Sequence, residues 1–210
     1  TRSDNCRVSD LSVSSDNLTF TYEAKSLPYP IDTSYYDNEK HTQADALSVI
    51  PFMDEMNYEG LSVSGLSDGY YGLTIGGEFI GRFTARELER GINMALLQNT
   101  PQYKQAMKIR QMNEERWLKE RKMREFYWVE YNLMRKTGML WACNEAAVDT
   151  LRKYRPHDIF LQWNGALWLQ YMHKGIREDC VNEQQDLVNQ IYEQNKPIPL
   201  QIEIKKFTDL

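Results

Sequence analysis

Through the first 84 residues apolar positions alternate with polar ones between turn residues, and from residue 85 they recur three and four apart. This pattern predicts a β-rich subdomain over 1–84, a helical subdomain over 85–196, and a terminal strand over 197–210 that returns to the β subdomain. The expected fold class is α+β: an antiparallel, sandwich-like sheet subdomain plus a helical subdomain with one long helix.

Strands are expected over 8–13 and 18–22, around the Ser14-Ser15-Asp16-Asn17 turn, with Leu18, Phe20 and Tyr22 on one face and Thr19 and Thr21 on the other. A loop over 27–36 holds Pro28, Pro30, Tyr29, Tyr35 and Tyr36, followed by a short helix over 42–50, a boundary at Pro51 and a strand over 61–66. Tyr71, Leu73 and Ile75 then alternate with Gly72, Thr74 and Gly76. The Gly76-Gly77 pair supplies the positive φ angles of a tight hairpin, so residues 79–83 fold back antiparallel. Thr84 and Glu87 have capping-box spacing and open a helix expected over 85–97.

A second helix start is written at Thr100-Pro101, where Pro101 occupies the first turn without a missing donor. No glycine or proline interrupts the chain from there to Lys136, and Gly138 is the expected stop. Further helices are expected over 144–154, 158–173 and 177–194. In the second of these Ile159, Leu161, Trp163, Leu167, Trp168, Tyr171 and Met172 predict burial nearly all round. Leu200, Ile202 and Ile204 alternate with Gln201, Glu203 and Lys205 in the last strand.

Composition narrows the functional classes. With 41% hydrophobic and 12% aromatic residues the chain can fill a core, which excludes disorder. Its net charge of −5 argues against nucleic acid, whose phosphates demand excess Lys and Arg on one face. No run approaches the ~18 apolar residues of a membrane span, and the first residue is Thr1 with no signal-like segment before it. The expectation is a soluble, processed or truncated chain. Cys6, Cys143 and Cys180 lack CxxC spacing, so they read as isolated thiols, or as one disulfide and a leftover thiol in an oxidising compartment.

Across 101–136 ten Lys and Arg face five Glu, but Glu115 with Lys119 and Glu120 with Arg124 sit four apart, as in a solvated helix. The other reading is a docking surface for an acidic partner or for a missing domain of a longer protein. Phe126, Tyr127, Trp128, Tyr131, Trp141, Trp163 and Trp168 read as core by their helical spacing. Exposure of Tyr127, Trp128 or Trp141 would favour a stacking platform for sugar rings instead. His157 suits a surface position before a helix capped by Asp158, and His173 a helix end where a cation meets the dipole. His41 lies among Asp37, Glu39 and Asp45, where a metal or acid-base role is a third possibility.

The phrases LSVSGLSDGYYGLTIGGEFIGRFTARELERGIN at 61–93, NTPQY at 99–103, WVEYN at 128–132 and LPYPID at 27–32 resemble the region downstream of the catalytic domain in bacterial SGNH/GDSL-type hydrolases. The resemblance runs from about Cys6 to the terminal PIPLQIEI. It implies a secreted or periplasmic ester hydrolase with a serine nucleophile in a Gly-Asp-Ser block and a histidine base in an Asp-x-x-His block. Neither block occurs here: Ser67-Asp68-Gly69 is the first in reverse, and Asp37 lies four residues before His41. We therefore assign no catalytic, cofactor or metal residue. The chain reads as a non-catalytic C-terminal region, a scaffold or substrate-orienting attachment. Its expected partners are the catalytic SGNH/GDSL domain of the same parent protein and an acylated carbohydrate, with the 27–36 loop the preferred contact. The alternative is a free-standing glycan- or protein-binding module.

Overall fold

A computed structural model of the chain describes residues 2–31, 36–37 and 41–207. Its strands are β1 Cys6–Val13, β2 Asn17–Ala24, β3 Tyr36–Asp37, β4 His41–Thr42, β5 Gly60–Leu61, β6 Tyr70–Ile75, β7 Glu78–Thr84, β8 Ile92–Asn93 and β9 Leu200–Lys206. Its α-helices are α1 Gln43–Ala46, α2 Phe52–Glu55, α3 Ala85–Arg90, α4 Pro101–Val129, α5 Glu145–Tyr154, α6 Ile159–Tyr171 and α7 Lys174–Gln194. The chain forms two compact units, one running to Arg110 and resuming at Gln194, the other spanning Gln111–Glu193.

The first unit is built on a five-stranded antiparallel sheet in the order β1-β2-β9-β6-β7. The last strand is therefore central, with Ile202 opposite both Phe20 and Ile75, and Ile204 opposite both Leu18 and Leu73. Period-two alternation sends Leu200, Ile202 and Ile204 into the core with Tyr71, Leu73, Ile75 and Leu88. Each such aliphatic side chain contributes about 1.5–3 kcal/mol by leaving water. The β6–β7 turn has Gly76 and Gly77 at φ 59° and 83°, the left-handed region the hairpin requires.

Three expectations for this unit fail, one of them the helix expected over 42–50, which ends at Ala46 as α1. The helix expected over 85–97 stops at Arg90, because Gly91 takes φ 94° and its N–H closes on Glu87 O. The chain then runs through β8 into a 3₁₀ turn, Met94–Leu96, capped by Asn93. The strand expected over 61–66 shrinks to β5, since β8 offers two residues to pair with, after which Val63 N–H turns to Leu88 O.

The second unit is helical. Helix α4 begins as written among residues of the first unit, with Thr100 Oγ1 accepting the Tyr103 N–H, and continues into the second. Within this unit the ladder Glu115–Lys119, Arg116–Glu120, Arg121–Glu125 and Glu120–Arg124 laces its polar side. The core gathers Phe126, Val129, Leu133, Leu151, Leu161 and Trp168. Helix α6 is not buried all round. Leu161, Gly165, Trp168 and Tyr171 face inward at three- and four-residue spacing, while Ile159, Phe160 and Trp163 are exposed at 53%, 50% and 66%. The helix lies at the edge of the unit, so one stripe meets the core and the apolar residues outside it stay in water.

Candidate functional site

Helix α4 does not run on to Lys136 in α form. It passes into a π turn at Glu130–Met134, where Arg135 N–H reaches Glu130 O and Met139 N–H reaches Met134 O, both five residues back. Gly138 follows at φ 74°, and Trp141 takes φ 62°. Turns of this kind are frequent at functional positions. Here the turn carries Glu130, a carboxylate with no exposed surface. Its Oε1 accepts the indole N–H of Trp168 at 2.8 Å, and its Oε2 accepts the backbone N–H of Trp141 at 2.8 Å. Both oxygens are thus committed to holding the connection after α4 against α6. Glu130 anchors the turn.

Beside that turn lies a cleft of about 420 Å³ within the helical unit. One wall comes from Trp128, Asn132, Leu133, Lys136 and Thr137, the other from Tyr154, His157, Asp158 and Leu161. Asp158 caps α6, its Oδ1 accepting the N–H groups of Phe160 at 2.8 Å and Leu161 at 3.2 Å. Asn132 spends its amide N–H on Trp128 O at 3.0 Å. From the rim an aromatic strip leads away, with Trp128 5.3 Å from Phe160 and Phe160 5.5 Å from Trp163 between ring centres.

The aromatic residues singled out in the sequence divide. Phe126 and Trp168 are core, whereas Tyr127, Tyr131 and Trp141 are 39%, 49% and 46% exposed and meet edge to face around Trp141. Periodicity places Tyr127 and Tyr131 on a helix, but does not say which of its faces is left exposed.

The two histidines with described side chains occupy separate places. His157 lines the cleft, in a 3₁₀ turn before α6. His173 follows Met172, the C-cap of α6, and precedes Lys174 of α7, so the dipoles of two helices oppose each other there. Its Nδ1 lies 3.4 Å from the exposed Cys143 thiol, a proximity invisible in the sequence. The side chain of His41, with Glu39, lies outside the described residues. Among the described residues no serine hydroxyl is hydrogen-bonded to a histidine, and no group of three His, Cys, Asp or Glu is placed to hold a metal. Ser67, of the reversed tripeptide, instead pairs with Tyr71 and Lys206. The cysteines are all free thiols.

In the sheet unit, the described part of the 27–36 loop packs on its own unit. Tyr29 exchanges backbone bonds with the Asn57 amide and Ile31 O accepts the Tyr103 hydroxyl, while residues 32–35 lie outside the described residues. Sequence inspection missed Glu59, which lines a small cleft of about 170 Å³ with Tyr22, Cys6 and Asn57. The Tyr22 hydroxyl donates to Glu59 at 2.9 Å and the Gln102 amide at 3.3 Å. Burial pushes the Glu59 carboxyl above its ordinary range, more than these two donors lower it. Burial and the neighbouring Glu59 likewise push the Tyr22 phenol well up, so Tyr22 remains a donor.

One comparison falls largely on the unit that carries the cleft. Residues 107–196 match the diltiazem deacetylase C-terminal helical domain. The whole chain is also similar to a solved structure, BT4096, a gut microbial diltiazem-metabolizing enzyme, at 35% identity and a TM-score of 0.90 over 98% of this chain. It spans about half of that solved chain, 47% of its length. Among curated proteins none matches. No helix among the described residues is long and apolar enough to cross a membrane.

Proposed function

We propose that this chain is the non-catalytic C-terminal region of a secreted bacterial ester hydrolase of the SGNH/GDSL type, and that it serves as scaffold or substrate-orienting attachment to a catalytic domain of the same parent protein. The observation that carries this reading is the similarity over nearly the whole chain to about half of a longer enzyme, joined to the match of its helical unit with a deacetylase's C-terminal domain. Diltiazem metabolism belongs to that relative; for this chain the proposal extends to an acyl ester, including an acylated carbohydrate.

Hydrolysis of an acyl ester by this route needs a serine, a base within hydrogen-bond reach, and N–H donors aimed at the oxyanion. Among the described residues no serine hydroxyl is hydrogen-bonded to a histidine, and each oxygen of the buried Glu130 accepts one N–H. The reacting groups are therefore expected on the other half of the parent protein. The coding sequence upstream of Thr1 tests this. An in-frame Gly-Asp-Ser and Asp-x-x-His is the expected finding, and a start codon with a signal peptide directly before Thr1 contradicts it.

A further inference from the structure

We infer that the cleft beside the π turn is a carbohydrate-binding site, with a pyranose ring against Trp128 and Tyr154 and further sugar units running over Phe160 and Trp163. The inference rests on the substrate-orienting reading and names the class of ligand to be oriented.

Four observations converge on it. The cleft, about 420 Å³, falls within the roughly 300–1,000 Å³ range of small-molecule sites. Its aromatic lining is Trp128 and the exposed Tyr154, whose ring has Lys153 Nζ over it at 5.5 Å, and aromatic ring surface of this kind is complementary to the C–H face of a sugar ring. Its polar lining carries unspent capacity of both kinds. Asn132 Oδ1 and Asp158 Oδ2 remain as acceptors, and Lys136 and His157 have no hydrogen-bond or ion-pair partner among the described residues. Finally, Phe160 and Trp163 extend the aromatic surface beyond the cleft while half or more exposed.

The same groups disfavour other ligands. A purely apolar molecule would bury these polar groups unpaired, at a cost of about 1–3 kcal/mol each. An anion would meet the Lys136 ammonium and the Asp158 carboxylate together, opposite charges that offset each other, and Asp158 already occupies the first N–H groups of α6. A neutral polyhydroxylated ring supplies donors and acceptors together and requires no net charge. A flat protein partner would use the strip and leave the cleft's polar groups unmatched.

The test titrates the 210-residue chain with cellotetraose, xylotetraose, mannotetraose and chitotetraose, and with their monosaccharides, reading tryptophan fluorescence and calorimetric heat. Saturable binding of at least one tetrasaccharide is expected. The double variant Asn132→Ala/His157→Ala, both polar and at the surface, should weaken it by about tenfold or more. Trp163→Ala should weaken the tetrasaccharide more than its monosaccharide, and Trp117→Ala, an exposed tryptophan elsewhere on α4, should change nothing. No saturable binding by any of these sugars overturns the inference, as does binding that survives both the double variant and Trp163→Ala. Loss of association with the longer protein's other half in Trp163→Ala, without sugar binding, would make the strip a protein interface and would also overturn it. None of these readouts uses ester turnover or the upstream sequence, so failure here is distinct from failure of the accessory reading.

Discussion

The indole N–H of Trp168 donates to Glu130 Oε1 at 2.8 Å, joining two side chains 38 residues apart in a place where neither has exposed surface. The carboxylate's other oxygen takes the Trp141 N–H, so the pair fixes three segments of the helical unit at once. Removing one donor leaves a buried acceptor oxygen short of a partner. Trp168→Phe keeps most of the ring volume and deletes the N–H. It should cost the helical unit about 2–3 kcal/mol in denaturant unfolding followed by circular dichroism. A loss below half a kcal/mol, taken as the edge of ordinary surface effects at about 0.5 kcal/mol, would mean that the bond does not hold the turn.

The junction from β7 into α3 rests on Thr84. Its Oγ1 accepts the Glu87 N–H at 3.2 Å while the Glu87 carboxylate takes the Thr84 N–H at 2.7 Å. Thr84→Ala should destabilise the sheet unit by about 1 kcal/mol, and Thr84→Ser should restore most of it. The bonds from Thr84 hold the Glu87 carboxyl below its ordinary value, so its contribution is present at neutral pH and is lost as pH falls through the lowered value. In an NMR titration, Thr84→Ala should move Glu87 back toward that ordinary value. An unmoved Glu87 would show that the hydroxyl is not a partner.

Glu59 has the opposite sign. Burial raises its carboxyl, so the neutral form is favoured in the fold. Its contribution is complete below the unfolded-chain value and is lost as pH rises through the folded one. Glu59→Gln removes the ionisation and keeps an oxygen to accept from Tyr22. The stability difference between Glu59→Gln and the parent sequence should therefore shift in favour of the variant as pH is raised from about 4 to 8. A difference that is flat, or that shrinks with pH, would place the carboxyl in an ionised setting instead.

The parts of the fold legible in the sequence are those whose causes are local. Gly76-Gly77, the Thr84–Glu87 box, the Thr100-Pro101 start and the four-residue charge pairs each act within a few positions, and the structure places all of them as written. Errors arose where a neighbour distant in sequence decides. Gly91 ends α3 because β8 must leave to pair with β5, and β5 is short because β8 is. The apolar run of α6 predicted burial on every side, yet composition cannot say how many helices surround it. Glu130 was overlooked for the same reason: its partners, Trp141 and Trp168, lie 11 and 38 residues away. The cleft was half legible, since Trp128 and His157 stood out while Tyr154 and their meeting did not.

The most direct measurement is p-nitrophenyl acetate hydrolysis by the purified 210-residue chain, beside the longer protein that includes the upstream half. The chain alone should release no p-nitrophenol above the buffer rate, and the longer protein should turn over in a manner abolished by a serine-directed acylating reagent. Turnover by the chain alone, lost on treatment with that reagent, would contradict the account.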